Sequence, residues 1–395
     1  MTDTAGKPVG HGSRTGASAT GDGLIRRRRR RWLRNSALGA AAVLVVTGGA
    51  GWAVYAKLSA NITADEAAAA ELARYERERP TALVRGALNI LLIGSDTRAG
   101  DGNRQYGKDV VGQRSDTTIL LHLAADRESA TAVSIPRDLM VDVPSCRQED
   151  GRRSDPVFAM FNHAFQVGGS ACTIRTVEKL TDIRIDHHMV VDFSGFKEMV
   201  DAVDGVEVCL KEPVDDKAAK LRLPAGRVTL DGEQALGYVR ARKSLGNGSD
   251  TERMGRQQRF LGALVNKVQS SDVLLNPVKL YPLLDAATSA LTTDPELASL
   301  RGLYQLVRGL RDIPTERVRF LTVPRESYVY NANRDQLVEP EAEKLFARLR
   351  ADQPVAVAPE TSQKVPGEDT GAGGQDGPSP APTFPGYTAS EHTCE

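Results

Sequence analysis

Apolar residues along this chain fall into distinct rhythms, and their order sketches a fold before any chemistry is considered. The first is an uncharged stretch from Ser36 to Ala56, rich in Ala, Val, Leu and Gly. Short continuous apolar runs follow over 88–93, 118–123 and 130–135, the first stopped by Gly94 and the last by Pro136. Such runs predict central strands buried on both faces. Helical spacing predicts helices over 158–167, 172–181, 193–203, 233–239, 251–267, 278–290, 295–310 and 340–350. Strands are expected again at 188–192, 206–210 and 318–323. Strands alternate with helices through most of this, so the class is α/β: a mixed central sheet covered by helices on both faces.

The uncharged stretch is long enough to leave the globular part altogether. At about 1.5 Å per residue, a helix of that length spans roughly 30 Å, the thickness of a bilayer's hydrocarbon core. Arg26 to Arg31 forms an unbroken basic run just before it, which predicts a cytoplasmic N-terminus and everything after about Lys57 outside the membrane. A cleaved signal peptide is the competing reading. The apolar stretch exceeds the usual signal core and no small-x-small cleavage site follows, so a retained single-pass anchor is expected. Arg30-Arg31-Trp32-Leu33 also resembles a twin-arginine export signal, weakly in so basic a run.

Five segments follow from these rhythms: a cytoplasmic basic tail over 1–35, a transmembrane helix over 36–56, a juxtamembrane stalk over 57–85, an extracytoplasmic globular domain over 86–351, and a Pro- and Gly-rich tail over 352–395. The stalk reads as a helix without a broad apolar face, and the tail as too polar to bury a core. Formal charge balances, with 51 basic against 51 acidic residues. There is thus no polyanion-binding signature, no nucleic-acid partner is expected, and the arginine run is assigned to the lipid bilayer. Four cysteines are present. Outside the membrane a Cys146–Cys172 bridge would pin the intervening loop, whereas Cys209, in the alternating strand Val206 to Leu210, reads as a buried thiol.

Charged residues then single out candidate chemistry. Gly94-Ser95-Asp96-Thr97-Arg98, Arg114-Ser115-Asp116-Thr117, Pro136-Arg137-Asp138 and Tyr238-Val239-Arg240-Ala241-Arg242, running on to Asp250, Arg253, Arg256 and Gln257, all sit at strand or helix boundaries. A hard cation such as Mg²⁺ or Mn²⁺ takes one or two carboxylates plus phosphate oxygens, and each guanidinium fork holds a phosphate by two parallel bonds. Asp96 and Asp116 as metal ligands beside Arg98, Arg114, Arg137, Arg240, Arg242, Arg253, Arg256 and Gln257 would suit a diphosphate. The blander reading makes each Ser-Asp-Thr aspartate a turn or cap and leaves the arginines locally paired, Arg137 with Asp138 for instance. No nucleophile elbow, Cys–His pair or phosphate loop is present, and His122 reads as a packed core residue. Metal and arginines bringing an acceptor hydroxyl to phosphorus fit better than an enzyme nucleophile.

With residues 89–98, 114–123, 134–139, Phe161-Asn162-His163-Ala164-Phe165, Gly168-Gly169, Asp192-Phe193, 230–242 and 250–258 in this order, the chain resembles the LytR–CpsA–Psr family of cell-wall glycopolymer ligases. The resemblance implies transfer of a glycopolymer from a polyprenyl-pyrophosphate carrier to the 6-hydroxyl of N-acetylmuramic acid in peptidoglycan. It also implies metal binding by Asp96 and Asp116, pyrophosphate binding by Arg114, Arg137, Arg240 and Arg253, and an apolar prenyl groove between sheet and helices. One departure stands out: the family's usual Asp-Phe-Gly-Arg is here Asp250-Thr251-Glu252-Arg253. Competing functions are a polyprenyl-pyrophosphate hydrolase, a lipid-binding module without turnover, and a transcriptional attenuator, for which the short cytoplasmic tail leaves no room.

Overall fold

Strand alternation decides which side of the sheet each residue serves. In the computed structural model, which describes residues 21–95, 115–217, 219–241, 250–270, 277–358 and 382–391, two compact units appear, Met1–Lys57 and Leu58–Glu395. Helix α1 (Gly21–Asn61) supplies the first unit, and its stretch Asn35–Asn61 is long and apolar enough to cross a membrane. Leu38, Leu44, Val46 and Trp52 all face outward from it.

The second unit begins with β1 (Thr63–Ala64), α2 (Glu66–Arg74), β2 (Leu88–Ser95), β3 (Ser115–Leu123) and β4 (Ala130–Ile135). A hairpin, β5 (Met140–Val143) and β6 (Val157–Met160), leads into α3 (Asn162–Thr181), β7 (His187–Val191) and α4 (Phe193–Ala202). Next come β8 (Val206–Leu210), β9 (Val214–Asp216), β10 (Leu221–Leu223) and β11 (Gly226–Leu230), then α5 (Gly232–Arg240), α6 (Asp250–Ser270) and α7 (Pro277–Ala290). The remainder is β12 (Leu291–Thr293), α8 (Leu300–Arg311), β13 (Val318–Thr322), β14 (Arg325–Tyr328), β15 (Asn331–Leu337), α9 (Glu341–Arg350), β16 (Ala356–Ala358) and β17 (Thr383–Thr388).

Among the described residues, nine strands form one mixed sheet in the order β1-β12-β7-β2-β3-β4-β13-β17-β16. Strands β7, β2, β4 and β13 run in one direction, and β3 runs against its neighbours β2 and β4. Leu91, Ile93, Leu120, Val133 and Ile135 point to one face and pack with Leu72 of α2, Phe165 and Ile174 of α3, and Leu345 and Phe346 of α9. Ile90, Ile119, Leu123 and Ala132, at alternate positions along the same strands, point to the other face, beside Leu261 of α6 and Leu306 and Leu310 of α8. Both faces are therefore apolar and helix-covered, which is why these strands read as continuous apolar runs. A third cluster, with Val206, Leu230, Tyr238 and Phe260 at its centre, unites α4, α5, α6 and the β8–β11 pair.

Four expectations are corrected. Residues 57–85 are not a free stalk: β1 pairs in parallel with β12, and Ala68 and Leu72 of α2 are buried in the core. Within the 352–395 tail, β17 pairs antiparallel with β13, and Phe384 is buried; three apolar or aromatic residues in six suffice for an edge-proximal strand. The 158–167 helix begins only at Asn162, because Val157–Met160 pairs with Met140–Val143 instead. Cys209 is disulfide-bonded, with its partner outside the described residues.

The Cys146–Cys172 bridge is present, its Cα atoms 5.6 Å apart and 26 residues apart in sequence. Closing a loop of that size contributes roughly 3–4 kcal/mol by restricting the unfolded chain. Gly168 makes room for it. A Cβ there would lie 2.9 Å from both the Arg147 carbonyl oxygen and the Cys172 Cβ, and helix α3 is kinked at this point, with Gly169 at φ +60° and ψ −149°.

Asp65 ties the start of the second unit to its core. It caps α2 by accepting from the Ala68 N–H at 3.0 Å, and it also accepts from Ser170 Oγ and contacts His188 Nε2 at 3.3 Å. Burial pushes its carboxyl up, but the bonds from His188, Ser170 and Ala68 outweigh that and hold it at about 2. A carboxyl lowered on folding stabilises the native state above its unfolded pKa, and the gain is lost as pH falls toward the folded value. The contribution is about 2 kcal/mol at neutral pH, present above about pH 4 and gone near pH 2. Asp65→Asn is expected to flatten that acid limb in melting curves recorded between pH 2 and 5; an unchanged limb would refute the assignment.

Candidate functional site

Parallel strands β2, β4, β7 and β13 all end on one side of the sheet, and in α/β sheets ligands collect beyond these carboxyl ends. β2 ends at Ser95, one residue before Asp96. Opposite it, the β3 register pairs Gly94 with Thr117 and Ser95 with Ser115, so Asp116 is the extra residue of a β-bulge. Bulges of this kind re-aim a side chain and recur next to active sites. The neighbouring strand β4 pairs its last residue, Ile135, with Thr118. The turn Pro136-Arg137-Asp138 thus leaves the sheet beside Asp116.

That turn is fixed by its backbone. The Leu139 N–H donates to the Pro136 carbonyl, and the Asn162 N–H at the start of α3 donates to the Arg137 carbonyl at 3.1 Å. Arg137 is half-buried and its Nε donates to Asp138 at 3.3 Å; Arg334 also reaches Asp138, at 3.5 Å. The locally paired reading of Arg137 is therefore correct as far as it goes, and the second cation keeps Asp138 from neutralising Arg137 alone.

β7 ends at Val191, opposite Gly94, and Asp192 then caps α4 by accepting from the Gly195 N–H at 2.8 Å. Phe193, next in the chain, lies under the Arg240 guanidinium, 4.5 Å from ring centroid to Cζ. Arg240 closes α5, which opens on an Asp231–Gln234 capping box. Close approach to α4 dictates Gly232 at its start, where a Cβ would meet the Lys197 carbonyl oxygen at 2.4 Å.

Helix α6 brings these pieces together. Arg256 Nη2 donates to the Ala241 carbonyl and Gln257 Nε2 to that of Val239 at 3.2 Å, so the end of α5 is stitched to the start of α6. Gln258 Nε2, one residue on, donates to Ser134 Oγ at 2.7 Å and to the Leu321 carbonyl and Thr322 Oγ1 at 3.0 and 3.1 Å, pinning α6 to the ends of β4 and β13. Arg253 and Arg256 are buried, at 4% and 5% exposure. Arginine is almost never so enclosed unless charge or hydrogen bonds compensate. Burial lowers the Arg256 pKa, with Tyr238 and Glu252 opposing.

Of the predicted site residues, Arg256 and Gln257 bind the end of α5 that carries Arg240, Arg253 is buried one turn earlier on α6, and Arg137 follows β4, the strand to which α6 is pinned. Asp96, Arg98, Arg114 and Arg242 lie outside the described residues, and only the backbone of Asp116 is described. Sequence reasoning gave no role to Gln258 or Phe193, although Gln258 directly follows a predicted site residue. Among the described residues, no group of three or more His, Cys, Asp or Glu is placed to hold a metal ion. His187 pairs with Asp294 and His122 with Asn89 and Asp352, so these histidines have structural partners.

The family model for LytR_cpsA_psr matches residues 58–351. The chain belongs to this family. It is 36% identical over 264 residues to the "Cell wall biosynthesis protein LcpA" of Corynebacterium glutamicum, covering 60% of this chain and 50% of that protein. A second Corynebacterium glutamicum relative, "Probable cell wall biosynthesis protein LcpB", is 37% identical over 271 residues, covering 66% of this chain and 61% of that one. The chain therefore spans only half to three-fifths of these two relatives' lengths. Against the "Polyisoprenyl-teichoic acid--peptidoglycan teichoic acid transferase TagT" of Bacillus subtilis, identity is 28% over 330 residues, covering 80% of this chain and 95% of that one. Among solved structures, "TagT bound to LI-WTA" is similar with a TM-score of 0.52 and 25% identity, covering 70% of this chain and 97% of that one.

Proposed function

We propose that this family member is a membrane-anchored phosphotransferase that moves a glycopolymer from a polyprenyl-pyrophosphate carrier to the 6-hydroxyl of N-acetylmuramic acid in peptidoglycan. The observation that carries this reading is the burial of Arg253 and Arg256 where α6 is pinned to the ends of β4 and β13. Guanidinium groups fixed there, with Arg137 and Arg240 around the same strand ends, suit a diphosphate better than any neutral ligand. In the reaction, the acceptor oxygen forms a bond to the glycan-bearing phosphorus and the P–O–P bridge breaks. Polyprenyl phosphate leaves, and the hydroxyl proton passes to a base.

The arginines would neutralise the charge that grows on the departing phosphate, an interaction stronger in the transition state than in the ground state. Asp96 and Asp116 would be the donor set for Mg²⁺ or Mn²⁺; the backbone of Asp116 is the bulge residue opposite the end of β2, which Asp96 directly follows in the chain. Such a cation, when bound, supplies Lewis-acid stabilisation of phosphate oxygens. Half-buried apolar side chains between the second sheet face and α6 and α8, including Leu88, Leu92, Leu121 and Met189, are where the prenyl chain would lie. The outward-facing apolar helix Asn35–Asn61 keeps the enzyme at the bilayer that holds its donor, with the second unit extracytoplasmic.

Asp96→Ala and Asp116→Ala are each expected to abolish polymer attachment while leaving lipid-donor binding largely intact. Mass spectrometry of muramic-acid fragments from complemented cells reads the outcome. Attachment persisting in either mutant would remove the metal assignment, and phosphate release without an acceptor would favour a hydrolase.

A further inference from the structure

An aromatic patch lies on β6 and the β14–β15 hairpin, with two of its rings exposed and the third half-buried between them. Phe158 of β6 is 51% exposed, and Val329 and Tyr330 at the tip of the β14–β15 hairpin are 71% and 85% exposed. Tyr328 joins them: its ring centroid lies 6.1 Å from that of Phe158 and 5.4 Å from that of Tyr330, the latter edge-on. Rings left this open contribute little to the fold, and a contiguous exposed patch of this kind marks an interaction surface.

The patch is held rigidly. Gln336 Nε2 donates to Glu326 across the hairpin at 2.8 Å, and the Val329 N–H donates back to Gln336 Oε1 at 3.3 Å. The Asp335 N–H donates to the Asp138 carbonyl at 3.1 Å. This ties the middle of the hairpin, where Asp335 pairs with Ser327, to the residue that follows Arg137. The aromatic row thus stands on a hairpin tied by its backbone to the turn that carries Arg137.

Charge indicates what the row would bind. Arg325 is paired with Asp335 and Arg334 with Asp138, while Glu326 is bonded to Gln336. No cationic excess remains on the hairpin to attract an anionic lipid surface. What flanks the rings instead is neutral amide: Asn331 and Asn333 are exposed, and each amide side chain can both donate and accept hydrogen bonds. Flat rings for sugar C–H faces, with amides for hydroxyl and N-acetyl groups, describe a saccharide platform.

We propose that Phe158, Tyr328 and Tyr330 form the docking surface for the acceptor, an N-acetylhexosamine glycan strand of peptidoglycan. This rests on the transferase reading above and adds the direction from which the acceptor hydroxyl reaches the phosphorus. The donor polymer is the weaker occupant, since it arrives tethered to its lipid and needs no second grip.

The test uses the full chain in detergent micelles and purified sacculi stripped of wall polymer, with no lipid donor present. Sacculus binding by the Tyr328→Ala/Tyr330→Ala double variant is expected to weaken about tenfold, as loss of two stacking rings implies. Its melting temperature should stay that of the parent, and Tyr330→Trp should bind as the parent does. Unchanged sacculus binding overturns the proposal, as does loss of binding to anionic vesicles with sacculus binding intact. Because retention is read without turnover, its failure is distinct from failure of the Asp96 and Asp116 transfer experiment.

Discussion

Arg137→Ala is expected to lower the rate of polymer transfer by roughly 10²–10³, the usual loss when one preorganised donor to a developing negative charge is removed. The defect should fall on kcat more than on KM, since the guanidinium works hardest on the leaving phosphate. Stability should change little. Arg137 is a half-buried residue of a turn whose geometry comes from backbone bonds to Pro136 and Asn162, and Asp138 keeps Arg334 as a partner. Arg137→Lys should recover only part of the rate, because a point charge lacks the bidentate fork. Steady-state transfer from a synthetic lipid-linked donor measures both variants. A kcat within threefold of the parent for Arg137→Ala would place Arg137 outside the reacting centre.

Arg79→Ala is expected to destabilise the second unit by about 3–5 kcal/mol, although it lies far from any proposed chemistry. The Glu178 side chain is 4% exposed and that of Arg79 10%. Arg79 Nε and Nη2 donate to Glu178 at 3.0 and 2.8 Å, and Nη2 also donates to the Ile185 carbonyl at 2.6 Å. The same carboxylate accepts the Ile185 N–H at 3.0 Å. Deleting the cation strands a buried negative charge, whereas replacing both partners with apolar groups of similar volume leaves none. Arg79→Met combined with Glu178→Leu should therefore recover most of the stability lost in the single mutant. Denaturant unfolding followed by circular dichroism checks both, and a single-mutant loss under 1 kcal/mol would show the pair to be solvent-screened.

Legibility followed burial. Strands β2, β3 and β4 were readable because both faces are covered, so nearly every position is apolar; the 130–135 prediction coincides with β4. Hairpins β9–β10 and β14–β15 were not, since at least one face meets water and residues such as Asn331, Asn333 and Arg334 carry no periodic signal. Val157–Met160 reads equally well as helix or strand in so short an apolar run, and only pairing with Met140–Val143 decides it. Arg79 looked like part of a solvated stalk because its partner, Glu178, is 99 residues away. At the candidate site, residue types suggested a phosphate ligand, but Gln258's contacts to β4 and β13 depend on tertiary placement and leave no local trace.

The position of β17 bears on how the protein comes into being. This strand lies between β13 and β16, and among the described residues β16 has no other neighbour in the sheet. While the ribosome has yet to release residues 383–388, β13 presents an open row of amides and carbonyls to any passing chain. A polypeptide truncated before Thr383 would keep that exposed edge permanently. Aggregation of truncated products, with the arginine site's coding region untouched, is the phenotype to look for in nonsense alleles between the codons for Thr322 and Thr383.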